Sequence, residues 1–241
     1  MNLIIDIGNT RIKTAVFEDG KLIHTESITK ESFVSGAITI IKKYKCTNAI
    51  ISSVGSVKKT EIMDLQAEIN LIELDFNTKV PFKNIYSSPK TLGVDRIALV
   101  SSATANYPNA NVLIIDAGTC ITYDFIDNDG NYYGGAISPG LQMRYKALNV
   151  FTEKLPLLEP SKNFELVGNS TEASIHSGVL NGVINEIDGI INQYRKKNAD
   201  LTVVLTGGDV NFLSNRLKNG LFANPNFLLE GLNTILTYNI K

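Results

Sequence analysis

Apolar positions along this chain fall into short runs broken by small polar turns, and the same order of runs occurs twice. In the first half the pattern predicts strands over 3–6, 11–17 and 21–27, the last two joined at Asp19-Gly20, a strong hairpin dipeptide. Phe33, Ile38, Ile40 and Ile41 predict a helix over 31–44, and the apolar run at 49–54 a buried strand. A second helix follows over 58–69, then a short strand over 71–74. Residues 80–91, with two prolines among polar residues, read as a loop. A helix over 95–107 stops before Pro108.

The second half starts the plan again at Asn111. Strands are predicted over 112–116, 120–126 and 132–136, with Asn128-Asp129-Gly130 at the second turn. Ile175, Val179, Val183, Ile187 and Ile191 predict one long helix over 171–197. Another buried strand spans 201–205, followed by Thr206-Gly207-Gly208-Asp209 and a helix over 210–217. The repeated plan predicts an internal duplication with domains at 1–109 and 110–241. The plainer alternative is a single α/β domain holding two hairpins that look alike by chance.

Composition narrows the function classes. A chain of 241 residues accommodates two domains, and 44% apolar residues exclude a disordered chain. A net charge of −1 offers no surface for a polyphosphate, so no nucleic acid is expected as a partner. Cys46 and Cys120 lie too far apart for a CxxC metal site and are too few for a disulfide framework. The first residues enter a strand containing Asp6, with no basic segment leading into a long apolar stretch. Neither a signal peptide nor a membrane partner is therefore expected, and the predicted location is cytoplasmic.

The candidate chemistry is centred on Asp and Gly. There is no GxxxxGK[ST], no HExxH and no Ser-His-Asp spacing, and the histidines are His24 and His176 alone. Asp6-Ile7-Gly8-Asn9-Thr10 follows Leu3-Ile4-Ile5, and Asp116-Ala117-Gly118-Thr119 follows Val112-Leu113-Ile114-Ile115. Each reads as a tight turn whose N–H groups and Thr hydroxyl can bind phosphate oxygens and whose Asp can face a cation. Lys13 would offset developing charge. Singly, each is an ordinary hairpin with an Asp capping its own turn. As a pair they point to a phosphate clamp and a nucleotide-dependent phosphotransferase. Asp116 follows a central apolar strand, where an unpaired carboxylate is costly and a bound cation would relieve the cost.

Other segments are more equivocal. Thr206-Gly207-Gly208-Asp209 is either a close seat for adenine or ribose or a plain turn capped by Asp209. In Thr91-Leu92-Gly93-Val94-Asp95-Arg96, Asp95 either takes a proton from an attacking hydroxyl or caps a helix. Arg96 correspondingly binds an anionic group or is a solvated surface charge. Composition alone favours the structural reading of both. The run Gly134-Gly135-Ala136-Ile137-Ser138-Pro139-Gly140 marks close backbone approach or a sharp strand-to-helix bend. Thr171 reads most simply as the N-cap of the long helix.

Taken in order, these residues resemble a known family. The two D-x-G-x-T-like turns and the late TGGD resemble the acetate and sugar kinase, heat-shock chaperone and actin superfamily. DIGNTRIK at 6–13, GVDR at 93–96, DAGT at 116–119, GGAISPG at 134–140, GNST at 168–171 and TGGD at 206–209 resemble type III pantothenate kinase. The resemblance implies an α/β fold of duplicated actin-like (ribonuclease H-like) domains, each a mixed sheet with flanking helices. It implies that Asp6, Ile7, Gly8, Asn9, Thr10, Arg11, Ile12 and Lys13 hold ATP, with Thr119 as a further ATP contact. It makes Asp95 the proton acceptor, and Tyr86, Gly93, Val94, Asp95, Arg96 and Thr171 the pantothenate site. Asp116 becomes the ligand of a monovalent cation, K+ or NH4+, beside ATP with Mg2+. Val94 departs from the Ala that the family usually carries there, which touches pocket shape and not Asp95.

The expected reaction is phosphorylation of the primary hydroxyl of pantothenate by ATP, the first committed step towards coenzyme A, in a cytoplasmic homodimer. Two alternatives stand beside it. One is a kinase of the same superfamily acting on another small hydroxy acid or sugar. The other is a nucleotide-binding regulator without catalysis, which leaves Asp95 without a purpose. The apolar stripe Ile175, Val179, Val183, Ile187 is expected to be exposed on a small domain and covered at a twofold axis. The alternative is that it packs on the domain's own sheet.

Overall fold

A computed structural model of the chain describes residues 1–8, 12–53 and 57–240. The chain divides into two compact units, 1–108 with 130–132 and 226–241, and 109–129 with 133–225. The sequence division at 109/110 places the C-terminal segment in the second half; by packing it belongs with the first.

The first unit is built on β1 (Asn2–Ile7), β2 (Ile12–Glu18), β3 (Lys21–Ile28), β4 (Asn48–Ser53) and β5 (Asn70–Glu73), in the spatial order β3-β2-β1-β4-β5. β1, β2 and β3 are antiparallel neighbours, whereas β4 and β5 run parallel to β1. Asp19 and Gly20 both take positive φ at the β2–β3 hairpin, as the dipeptide predicted. Side chains alternate along a strand, so β1 presents Leu3, Ile5 and Ile7 to one face. There they pack with Phe33, Ala37, Ile40 and Ile41 of α1 (Phe33–Tyr44) and with Ile62 and Leu65 of α2 (Lys59–Gln66). Ile4 and Asp6 take the other face. On this side α3 (Val94–Asn106) packs against β4, and α8 (Phe227–Asn239) packs on β1, β4 and α3. An Asn2–Asn233 hydrogen bond of 2.9 Å fixes α8 to the sheet.

In the span expected to be only loop, Lys83–Asn84 forms a two-residue β6 paired with Asn131 and Tyr132, and Pro89–Thr91 a single 3-10 turn. Two residues of pairing are too short to register in an apolar pattern.

The second unit repeats the plan. Its strands β7 (Asn111–Ala117), β8 (Cys120–Ile126), β9 (Asn131–Pro139, within this unit from Tyr133 on), β10 (Leu201–Thr206) and β11 (Phe222–Ala223) lie in the order β11-β10-β7-β8-β9. β8 is antiparallel to β7, and β10 is parallel to it. Three helices line one face: α4 (Leu141–Val150), α5 (Thr171–His176) and α6 (Gly182–Lys197), the last two joined by a π turn over Ser177–Asn181. The π turn has a sequence cause. A strict spacing of four drifts around an α-helix of about 3.6 residues per turn, and one wider turn brings the stripe back to a single face.

That stripe corrects one expectation. Ile175, Val179, Val183, Ile187 and Ile191 are all buried, packed with Leu113, Ile115, Tyr123, Val203 and Leu205 of the unit's own sheet. No apolar stripe is left on this helix for a twofold partner to cover. α7 (Val210–Leu213) is shorter than expected, and α4 and α8 were not anticipated. Among the described residues, no helix is long and apolar enough to cross a membrane.

Candidate active site

In the first unit the site grows from the end of β1. Asp6 pairs across the sheet with Lys13 of β2 on one side and with Ser52 of β4 on the other. Register partners in adjacent strands share a face, so all three lie on the α3 side. Ile7 and Ile12 are buried among the apolar residues of the opposite face. Gly8 is half-buried and Lys13 exposed. Asn9, Thr10 and Arg11 lie outside the described residues.

α3 brings its first turn to this face. Its N-cap is Gly93, Val94 is the first helical residue and Asp95 the second. Asp95 Oδ1 accepts the Arg96 N–H at 2.8 Å, and a Cβ on Gly93 would stand 2.3 Å from the same oxygen. A glycine at 93 therefore makes room for the carboxylate to fold back over the helix start. The cap itself is not made by Asp95. Burial is the main cause that pushes the Asp6 carboxyl up to about 6; the Asp95 charge adds to the rise and Lys13 opposes it. Two carboxylates and a lysine thus share one small electrostatic field.

Arg96 is not a solvated charge. It is 5% exposed, and its guanidinium carbon lies 5.5 Å from the Tyr86 ring centroid. Tyr86 stacks in turn on Tyr132, ring centroids 6.2 Å apart at 18°. The chain thereby gathers Tyr86, Gly93, Val94, Asp95 and Arg96 at one end of α3.

In the second unit Asp116 holds the corresponding place near the end of β7, opposite Thr122 of β8 and Thr206 of β10. The turn after it is tied by Gly118 N–H to the Cys120 carbonyl at 2.9 Å. Two later segments press on it. Gly140 N–H donates to the Thr119 carbonyl at 3.1 Å, and Asp209 N–H to the Ala117 carbonyl at 2.9 Å. Gly207, at φ +96, comes so close that a Cβ would stand 2.3 Å from both Asp116 Oδ1 and the Ala117 carbonyl oxygen. TGGD is therefore a backbone cradle around Asp116 more than a simple helix start. Asp209 is the N-cap of α7 by position, yet its side chain makes no capping bond, and burial raises its carboxyl.

Thr119 is exposed at this turn. Thr171 is exposed too, but it is not the N-cap: Ser170 caps α5, accepting the Ala173 N–H at 3.1 Å. The Ser138-Pro139-Gly140 bend is fixed by Arg144, which donates to Ser138 Oγ at 2.8 Å, to the Pro139 carbonyl at 2.9 Å and to Glu186 at 2.6 Å.

Sequence reading missed two residues. Ser52 Oγ and Thr122 Oγ1 are buried and make no hydrogen bond, and each stands beside one of the two aspartates. A serine at a strand end and a threonine within a strand carry no pattern that would have singled them out.

A sheet repeated in the same order, with an aspartate near the end of the central strand of each copy, is a duplicated actin-like fold. A solved structure described as a conserved putative Baf family transcriptional activator from Campylobacter jejuni matches it with TM-score 0.67, covering 99% of this chain and 98% of that one at 22% identity. A putative N-acetylmannosamine kinase from Listeria monocytogenes matches with TM-score 0.56 at 12% identity, covering 99% of both chains. At such identities these likenesses speak for the fold. The family model for type III pantothenate kinase matches residues 2–193. A type III pantothenate kinase of Christiangramia forsetii is 51% identical over 99% of both chains. The chain belongs to the type III pantothenate kinase family.

Proposed function

We propose that this protein transfers the γ-phosphoryl group of ATP to the primary hydroxyl of pantothenate, the first committed step towards coenzyme A. The observation that carries the reading, beside family membership, is the arrangement of Asp6, Lys13, Asp95 and the buried Arg96 on one face of the first unit. Asp95 takes the proton of the attacking hydroxyl, whose oxygen forms the bond to phosphorus as ADP leaves. Arg96, held under Tyr86, recognises the pantothenate carboxylate, and Thr171 adds a hydroxyl. Residues 6–13 and Thr119 bind ATP, with Lys13 offsetting charge on the transferring group. Most of the rate enhancement in such a site comes from positioning and electrostatics.

The donor set suits the metal that accompanies ATP. Among the described residues no group of three or more His, Cys, Asp or Glu converges on one point. Mg2+ needs none, since it binds through one or two carboxylates plus substrate phosphates and keeps several waters. Asp6 would hold it, and the ion neutralises charge on the phosphate oxygens. Asp116, with the buried Thr122 hydroxyl opposite it, offers oxygen ligands to K+ or NH4+.

The same reading makes the protein a cytoplasmic homodimer. Support now comes from elsewhere than the long helix: Phe151, Leu166 and Val167 of the second unit are 85%, 78% and 80% exposed. Light scattering at assay concentration tests it, a dimer being expected and a fully active monomer overturning it. The activity itself is tested by a coupled assay for ADP release. Release that depends on pantothenate supports the function; equal release without it, or none with it, refutes it.

A further inference from the structure

We propose that Ser52 is a positioning residue for the divalent cation of the nucleotide, its hydroxyl engaging a water of that ion beside Asp6. The inference rests on Asp6 being the divalent-cation residue. Ser52 ends β4 in register with Asp6 of the parallel neighbour β1, so the two side chains share a face. Ser53, next along the strand, turns to the opposite face by alternation.

Ser52 is fully buried, and its hydroxyl is unsatisfied. Leaving a buried polar group in that condition carries a free-energy cost. Folding repays none of it, because the hydroxyl ties no strand or helix together. An alanine there, on the face shared with the fully buried Ile50, would carry no such cost. A partner that arrives with a ligand would satisfy the Ser52 hydroxyl.

The location selects the ligand's chemistry. A carboxylate lies on the same face, and Asp95 bears on it electrostatically. A hydroxyl can both donate to and accept from a water, and Mg2+ keeps several waters that need such partners. Groups that orient a metal's ligands in this indirect way typically change its affinity by about 10–100-fold. Ser52 is therefore a positioning residue, acting through water and not on the reacting atoms.

Calorimetry with a non-hydrolysable ATP analogue, in Mn2+ and in EDTA, separates the possibilities for the native sequence, Ser52→Ala and Asp6→Asn. The expected result is that Ser52→Ala loses about tenfold or more of the affinity gained from Mn2+. Its affinity in EDTA should be unchanged, and its ligand-free thermal midpoint equal or higher. A full Mn2+ gain in Ser52→Ala, with the gain lost in Asp6→Asn, overturns the role of Ser52 and leaves that of Asp6 standing. A full gain in both variants refutes the Asp6 assignment and takes the Ser52 proposal with it. A lowered midpoint in ligand-free Ser52→Ala makes Ser52 a structural residue, and the proposal fails.

Discussion

The two halves use one backbone device with different chemistry around it. Asp6 and Asp116 occupy matching places, near the end of a central strand with an antiparallel neighbour on one side and a parallel one on the other. Around Asp6 the cross-strand partners are Lys13 and Ser52, and Asp95 adds a second carboxylate. Around Asp116 they are Thr122 and Thr206, and Gly207 brings in backbone. The first setting concentrates charge, which suits proton and phosphoryl transfer. The second offers neutral oxygens and a tight cradle, which suits holding an ion or a phosphate. The backbone plan is the same in both units, and the residues in register with the two aspartates differ.

The sharpest way to break this comparison is Asp95→Asn. Asn keeps the shape but cannot take a proton, so kcat should fall by about 10²–10⁴-fold while both substrates still bind by calorimetry. A near-normal kcat would mean that the first unit's charge cluster is not catalytic.

Asp6→Asn sharpens the comparison through stability. The folded-state pKa of about 6 exceeds the ordinary value of 3.8, so the native state holds this proton more tightly than the unfolded chain. Stability should therefore fall as pH rises from about 4 to about 6 and level off above that, a loss of up to about 3 kcal/mol. Denaturant titrations should show Asp6→Asn more stable than the native sequence at pH 7–8, with the difference gone near pH 4. The same advantage at both ends would refute the burial argument.

In the second unit, Gly207→Ala forces a Cβ against Asp116 and the Ala117 carbonyl at a positive φ. The expected loss is about 1–3 kcal/mol, whereas Gly208→Ala, which meets nothing within 4 Å, should stay within about 0.5 kcal/mol. Equal effects in urea titrations would show that the cradle does not exist. The smallest expected effect is on monovalent cation dependence. Exchanging potassium for lithium or tris at constant ionic strength should slow the initial rate by about tenfold, and Asp116→Ala should be insensitive to the exchange. Identical rates in all salts would remove the cation from Asp116.

Much of this was legible because it is local. The Asp19-Gly20 hairpin, the alternation that buries Ile5 and Ile7 on one side of Asp6, and the ordered turns all follow from short-range rules. So does the family, since the motifs recur in fixed order along the chain. α4 escaped notice because its apolar residues form no clear stripe when read alone, whereas α8 carries Leu229, Leu232 and Leu236 at helical spacing, a signal present in the sequence.

The sequence by itself determined the longer strands and the repeated plan, because each depends on residues a few positions apart. Only the tertiary structure decided that the stripe at Ile175 faces its own sheet, that Arg96 is buried under Tyr86, and that Ser170, not Thr171, caps α5. It alone placed Ser52 beside Asp6 and Thr122 beside Asp116. Burial and cross-strand register join residues up to 90 positions apart, as between Asp116 and Thr206, and no local pattern encodes which strand becomes the neighbour of which.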